Sequence, residues 1–178
     1  MNPKNSVRII LTAVFAALYS VGVVFLAPVS FQVFQVRVAD ALLPLAMLFG
    51  WPAIVGLSLG AFVANVFGGL GPVDMVGGAL ANFIATLAAW RIFRSGGRRS
   101  GLLGVGVEIL VITLIVGSYL SFLLGIPLQV SWLGILLGSV VAIGVLGTIL
   151  FFALSRSNIV AILEAHGLRE SQNTSERN

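Results

Sequence analysis

Residues 31–82 read FQVFQVRVADALLPLAMLFGWPAIVGLSLGAFVANVFGGLGPVDMVGGALAN, and this stretch decides the fold. Most of it is apolar enough for lipid, yet it carries Gln32, Gln35, Arg37, Asp40, Asn65, Asp74 and Asn82. A polar group at membrane depth is costly unless it meets another polar group, water or a ligand, so such residues mark a site by default. The same stretch contains Gly50-Trp51-Pro52 and Gly68-Gly69-Leu70-Gly71-Pro72, two turn clusters that divide it into short helices. A second helix from near Asp40 to Gly50, with Pro44 inside it, is too short to cross ~30 Å of hydrocarbon at ~1.5 Å per residue. A third, from Ala53 to about Phe67, is short as well. Before them, Ala27 to Val38 alternates Phe31, Val33 with Gln32, Gln35 and reads as extended. Irregular backbone beside short helices implies a cavity that the backbone lines, because lipid does not tolerate it otherwise.

The rest of the chain fits this setting. A mean hydropathy of +1.09 excludes an ordinary soluble domain, as do 58% hydrophobic and 9% charged residues. At ~20 residues per span, 178 residues allow about six helices. The first is expected over roughly Val7 to Leu26. Lys4 and Arg8 before it resemble a signal peptide, but its length and the further spans make it a retained helix. The fourth is expected from Asp74 to about Phe93, the fifth from Leu102 to Leu124 and the sixth from Leu133 to Leu154. Residues 1–154 thus form one membrane domain and 155–178 a polar tail. The expected fold is an all-α integral membrane bundle of six transmembrane helices.

The sequence pI of 10.7 fits bilayer orientation better than a nucleic-acid partner. Lys4, Arg8, Arg91, Arg94, Arg98, Arg99, Arg156, Arg169 and Arg177 fall on one side of a six-span topology, and Arg37 alone on the other. The positive-inside rule then places both termini in the cytoplasm. Absent cysteine excludes disulfides and thiolate chemistry. The sole His166 lies in the tail and no helix pairs an acid with a base, so an intramembrane enzyme is not expected, nor is a metal or cofactor. There is no G-x-x-x-x-G-K-[ST], so the chain does not itself bind ATP through that motif.

Orientation sorts the polar residues by depth. Arg37, Asp40, Asn65, Asp74, Asn82, Ser118, Tyr119, Gln129 and Trp132 all fall in the outer half. Glu108, ~9 Å from the cytoplasmic end of its helix, is expected to pair with an arginine such as Arg91 or to touch a partner. Taken singly, Asp40 and Asp74 are also suited to capping helices, Asn65 to a C-cap, and Tyr119 and Trp132 to interfacial anchoring. Arg37 and Asp40 could be only a local ion pair of small worth. Their convergence on one rim favours a binding site. Thr12, Ala13, Ala16, Ala17 and Ser20 form a small-residue stripe on the first helix, suited to packing within the bundle or to docking another membrane subunit.

The segments Q-V-R-V-A-D-A-L-L-P and A-N-V-F-G-G-L-G-P-V-D resemble the queuosine-precursor transporter (QueT) family, the substrate-binding S components of energy-coupling factor (ECF) transporters. The resemblance is strong from about Ala13 to Ala89 and general beyond it. Arg37 matches a family arginine and Asp40 the acid three residues on, usually Glu. Asn65 and Asp74 match the second motif. Ala13-x-x-x-Ala17 is similar to the motif by which S components dock on the coupling subunit. Gly138-Ser139 departs from the pattern, in which an acid often follows the glycine. The resemblance implies an S-component-like bundle in the cell membrane that captures a 7-deazaguanine such as preQ1 or preQ0 from outside. A T component and two ATPase subunits would drive its import. On this reading Gln35, Arg37, Asp40, Asn65, Asp74, Asn82, Tyr119 and Trp132 bind substrate, and Ala13 and Ala17 dock the coupling subunit. An S component for another vitamin-like molecule, or a structural membrane protein without a transport role, is the alternative.

Overall fold

The computed structural model describes residues 3–30, 36–94 and 96–156. Gln32, Gln35 and the tail beyond Arg156, with His166, lie outside the described residues. Helix α1 (Pro3–Phe25) is followed by the single turn α2 (Ala27–Ser30), where the sequence reading expects extended chain. Helix α3 covers Val38–Phe49, α4 Trp51–Gly68, α5 Pro72–Phe93, α6 Gly97–Leu124 and α7 Leu128–Ser155. Five of these are long and apolar enough to span a membrane, and α3 is a shorter sixth passage. The six-helix bundle expected from the sequence is the fold observed.

Helix α3 is the hub. It runs antiparallel to α1, packs on α4, α5 and α6, and meets the middle of α7. Its first eight residues, Val38–Leu45, are wound as a 3₁₀ helix and the last four, Ala46–Phe49, as α. Pro44 explains the change. In an α-helix its ring would press on the carbonyl four residues back, that of Asp40, and a tighter winding removes that clash. The looser rise also carries twelve residues across roughly 22 Å, further than an α-helix of equal length. Opposite it, Val140–Gly147 of α7 is wound as a π-helix. A Cβ on Gly147 would lie 2.9 Å from Pro44 Cγ and 3.2 Å from the Ala41 carbonyl, so the two irregular windings meet where only glycine fits.

Three boundaries differ from expectation. Helix α4 has 18 residues, ~27 Å at the helical rise, and so is a full span. Helix α6 begins at Gly97 rather than Leu102, because glycines 96 and 97, both with positive φ, turn the chain within two residues. Arg98 and Arg99 therefore occupy its first turn, and Arg91 the last turn of α5. Gln129 and Trp132, expected in a loop, belong to the first turns of α7.

The small-residue stripe of α1 divides between two surfaces. Cβ atoms on Gly56 and Gly60 would approach the carbonyl oxygens of Thr12 and Ala16 to 2.6 and 2.8 Å, so this edge is consumed by packing on α4. Ala13 and Ala17 point away and are exposed.

Candidate functional site

Six acidic residues occur in the chain, and the three that fall among the described residues, Asp40, Asp74 and Glu108, are all buried. Arg37 is buried with them, whereas Arg8, Arg91, Arg94, Arg98, Arg99 and Arg156 are exposed. Helix topology puts the exposed arginines at one end of the bundle and Arg37, Asp40 and Asp74 toward the other, with Glu108 in between. Burying a charged side chain is strongly unfavourable without compensating charge or hydrogen bonds. The question for each is therefore what meets it.

Asp40 is one turn into α3, and its Oδ1 accepts a hydrogen bond from the Tyr19 hydroxyl of α1. Asp74 is the third residue of α5, and its Oδ1 accepts from the Tyr119 hydroxyl of α6 at 2.9 Å. Neither is a helix cap: the N-cap positions are Arg37 for α3 and Gly71 for α5, neither with a side-chain capping bond. The Arg37 guanidinium lies within electrostatic reach of both carboxylates and both tyrosines. Two acid–tyrosine pairs thus share the field of one buried cation.

The asparagines knit the backbone beneath. Asn65 of α4 donates through Nδ2 to the Asp74 carbonyl oxygen at 2.8 Å, so it fixes the acid's helix rather than capping its own. Asn82 donates to the Leu57 carbonyl oxygen at 3.3 Å, and Thr86 donates to the Asn82 carbonyl oxygen at 2.6 Å. Gly78 makes the approach possible, since a Cβ there would come within 2.4 Å of Asn65 Nδ2. Gly78→Ala is accordingly expected to lower stability by about 1–3 kcal/mol, the usual range for overpacking. Detergent-resistance or thermal unfolding assays check this, and a variant as stable as the parent would show that α4 and α5 part freely.

Arg37, Asp40 and Asn82 line a cavity of about 10 Å³ together with Ile112 and Val116 of α6 and Ser139 of α7. That is room for about one water. Of the residues expected to bind substrate, Arg37, Asp40 and Asn82 line the cavity. Asp74 and Tyr119 do not line it, though both lie within electrostatic reach of Arg37, and Asn65 bonds the backbone of Asp74. Trp132 is set apart: it packs edgewise on Gly117, and its indole nitrogen donates to the Ser118 hydroxyl at 3.2 Å. Gln35 lies outside the described residues.

Two residues enter that sequence reading missed or misplaced. Tyr19 is fully buried, with its hydroxyl donated to Asp40. The signal for it was available, because a phenol hydroxyl inside a membrane helix requires an acceptor. Glu108 corrects an expectation. It makes no pair with Arg91, which is exposed at the end of α5, and neither of its carboxylate oxygens has a hydrogen-bond partner. Because α6 starts five residues earlier than expected, Glu108 is roughly 16 Å along it, near mid-membrane.

A buried arginine within electrostatic reach of two tyrosine-tethered carboxylates is an unusual polar group for a bundle of apolar spans. No curated protein and no solved structure matches the chain. The QueT transporter family matches residues 9–156, most of its length. The chain belongs to the QueT transporter family.

Proposed function

We propose that this protein is the substrate-binding S component of an energy-coupling factor transporter and imports a 7-deazaguanine queuosine precursor such as preQ1 or preQ0. The observation that carries the substrate reading is the Arg37–Asp40–Asp74 group with its two tyrosine donors. A deazaguanine presents adjacent N–H donors that a carboxylate accepts in pairs, the charge-assisted geometry of strongest contact. It also presents a carbonyl that a guanidinium or amide donates to. Tyr19 and Tyr119 each hold one oxygen of a carboxylate in orientation, and Oδ2 of Asp74 has no hydrogen-bond partner of its own, so it can accept from a solute. The cavity admits only a single water, so a bicyclic base enters as α3 parts from α6 and α7.

Binding to purified protein tests the substrate. Saturating preQ1 or preQ0 is expected to raise thermal stability, by about 2.7 kcal/mol at a hundredfold excess over Kd. If neither compound stabilises the protein, the substrate reading fails and another vitamin-like solute takes its place.

The proposed orientation has both termini in the cytoplasm of a cell-membrane protein, following the clustering of exposed arginines at one end. A T component then docks along the exposed Ala13–Ala17 edge of α1, with two ATPase subunits supplying energy. Small exposed residues let a second helix approach closely in lipid. The Ala13→Trp, Ala17→Trp double variant is therefore expected to bind ligand normally but to lose co-purification with the coupling subunits. Unchanged co-purification would move the docking surface elsewhere.

A further inference from the structure

We propose that Glu108 is a specificity-determining residue, the acceptor for a protonated primary amine carried by the ligand. The inference deepens the proposed substrate reading and rests on it for the identity of the molecule bearing the amine. Of the three buried acids, Asp40 accepts from Tyr19 and Asp74 accepts from Tyr119, but Glu108 accepts from nothing. It is fully buried, and both its oxygens are without a hydrogen-bond partner. An unmet carboxylate in so dry a place is severely destabilising unless a proton or a cation joins it.

Its position says where such a cation comes from. Glu108 is one helical turn below Ile112, on the same buried stripe of α6 that continues through Ile112 and Val116 to the cavity wall. It lies within electrostatic reach of Asp40, which forms another wall of that cavity. A solute held at Asp40 with its substituent directed along this stripe of α6 brings that substituent toward Glu108. The stripe between them is apolar, so an ammonium that crosses it finds Glu108 as its acceptor on that helix. A metal ion fits less well, since no cluster of three or more ligating acids or histidines exists among the described residues. The site then divides its labour: Asp40 and Asp74 take the edge common to all deazaguanines, and Glu108 reads the substituent.

Paired titrations test this. Wild-type protein and Glu108→Gln are titrated calorimetrically with preQ1, which bears an aminomethyl group, and with preQ0, which bears a nitrile there. The expected result is a roughly ten- to hundred-fold loss for preQ1 in the variant, with preQ0 unchanged or tighter. An unchanged ratio of the two affinities, with both still binding the wild type, overturns the role of Glu108 and leaves the substrate reading standing. Failure of the wild type to bind either compound overturns both. Should Glu108→Gln not fold, Glu108→Asp keeps the charge but retracts it by a methylene, and the same ratio decides. Infrared spectra of wild-type protein with isotope-labelled glutamate give an independent readout. A carboxyl-band change on adding preQ1 but not preQ0 supports the assignment, and an equal response to both, or none, refutes it.

Discussion

Replacing Arg37 with leucine is expected to destabilise the protein by about 3–5 kcal/mol, the range for breaking a buried charge pair by removing one partner. The side chain is buried, and the carboxylates of Asp40 and Asp74 both feel its charge. Among the described residues every other arginine is exposed, so no second cation takes over. With leucine in place, two buried acids keep one tyrosine bond each and lose their counter-charge. The effect should be visible as earlier unfolding in mixed detergent–SDS micelles, together with loss of ligand binding. The double variant Arg37→Leu, Asp40→Asn separates charge from packing. If the loss is electrostatic, neutralising Asp40 restores part of the stability, and the coupling within the double-mutant cycle exceeds about 1 kcal/mol. A single variant within 1 kcal/mol of the parent would show that the acids find their compensation elsewhere, and the cluster would cease to be one electrostatic unit.

This cluster was legible in the sequence to an unequal degree. Arg37, Asp40, Asn65, Asp74 and Asn82 stand out because each interrupts an apolar run, and lipid penalises such interruptions. Their convergence follows once helix order and direction are known. Tyr19 did not stand out, since a tyrosine near a helix end reads equally well as an interfacial anchor. The fate of Glu108 turned on a boundary. Hydropathy starts the span at Leu102, but the helix begins with the backbone turn at Gly96 and Gly97, and five extra residues move Glu108 from the edge to the middle. Helix α3 hid its winding for a different reason. Pro44 announces a disturbance but not its form, and nothing local in the sequence announces the π-wound segment of α7 that it packs against. The two edges of the α1 stripe were likewise indistinguishable in sequence. Only the glycines of α4, more than forty residues away, decide that Thr12 and Ala16 face inward and Ala13 and Ala17 outward.

Asp40→Asn and Asp74→Asn are each expected to weaken binding of a 7-deazaguanine roughly ten- to a hundred-fold, because hydrogen bonds to charged groups contribute ~1.5–3 kcal/mol. The substitution keeps shape and one acceptor oxygen, so packing is preserved while the second charged acceptor is lost. Had either residue served as a helix cap, asparagine would replace it almost without effect. The geometry argues otherwise, since each accepts a tyrosine hydroxyl from a neighbouring helix rather than a backbone N–H of its own. Tyr19→Phe and Tyr119→Phe give the companion measurement. Removing the phenol hydroxyl leaves the carboxylate charged but unoriented, so affinity should fall by less than in the Asn variants. The Asp40→Asn, Tyr19→Phe pair should be no worse than Asp40→Asn alone, as the tyrosine acts only through the acid. Both acids meet the part of the ligand that preQ1 and preQ0 share, so the two compounds should lose affinity in parallel, unlike the selective loss expected at Glu108. Normal affinity for both compounds in the Asp40→Asn, Asp74→Asn double variant would remove the binding site from this end of the bundle altogether.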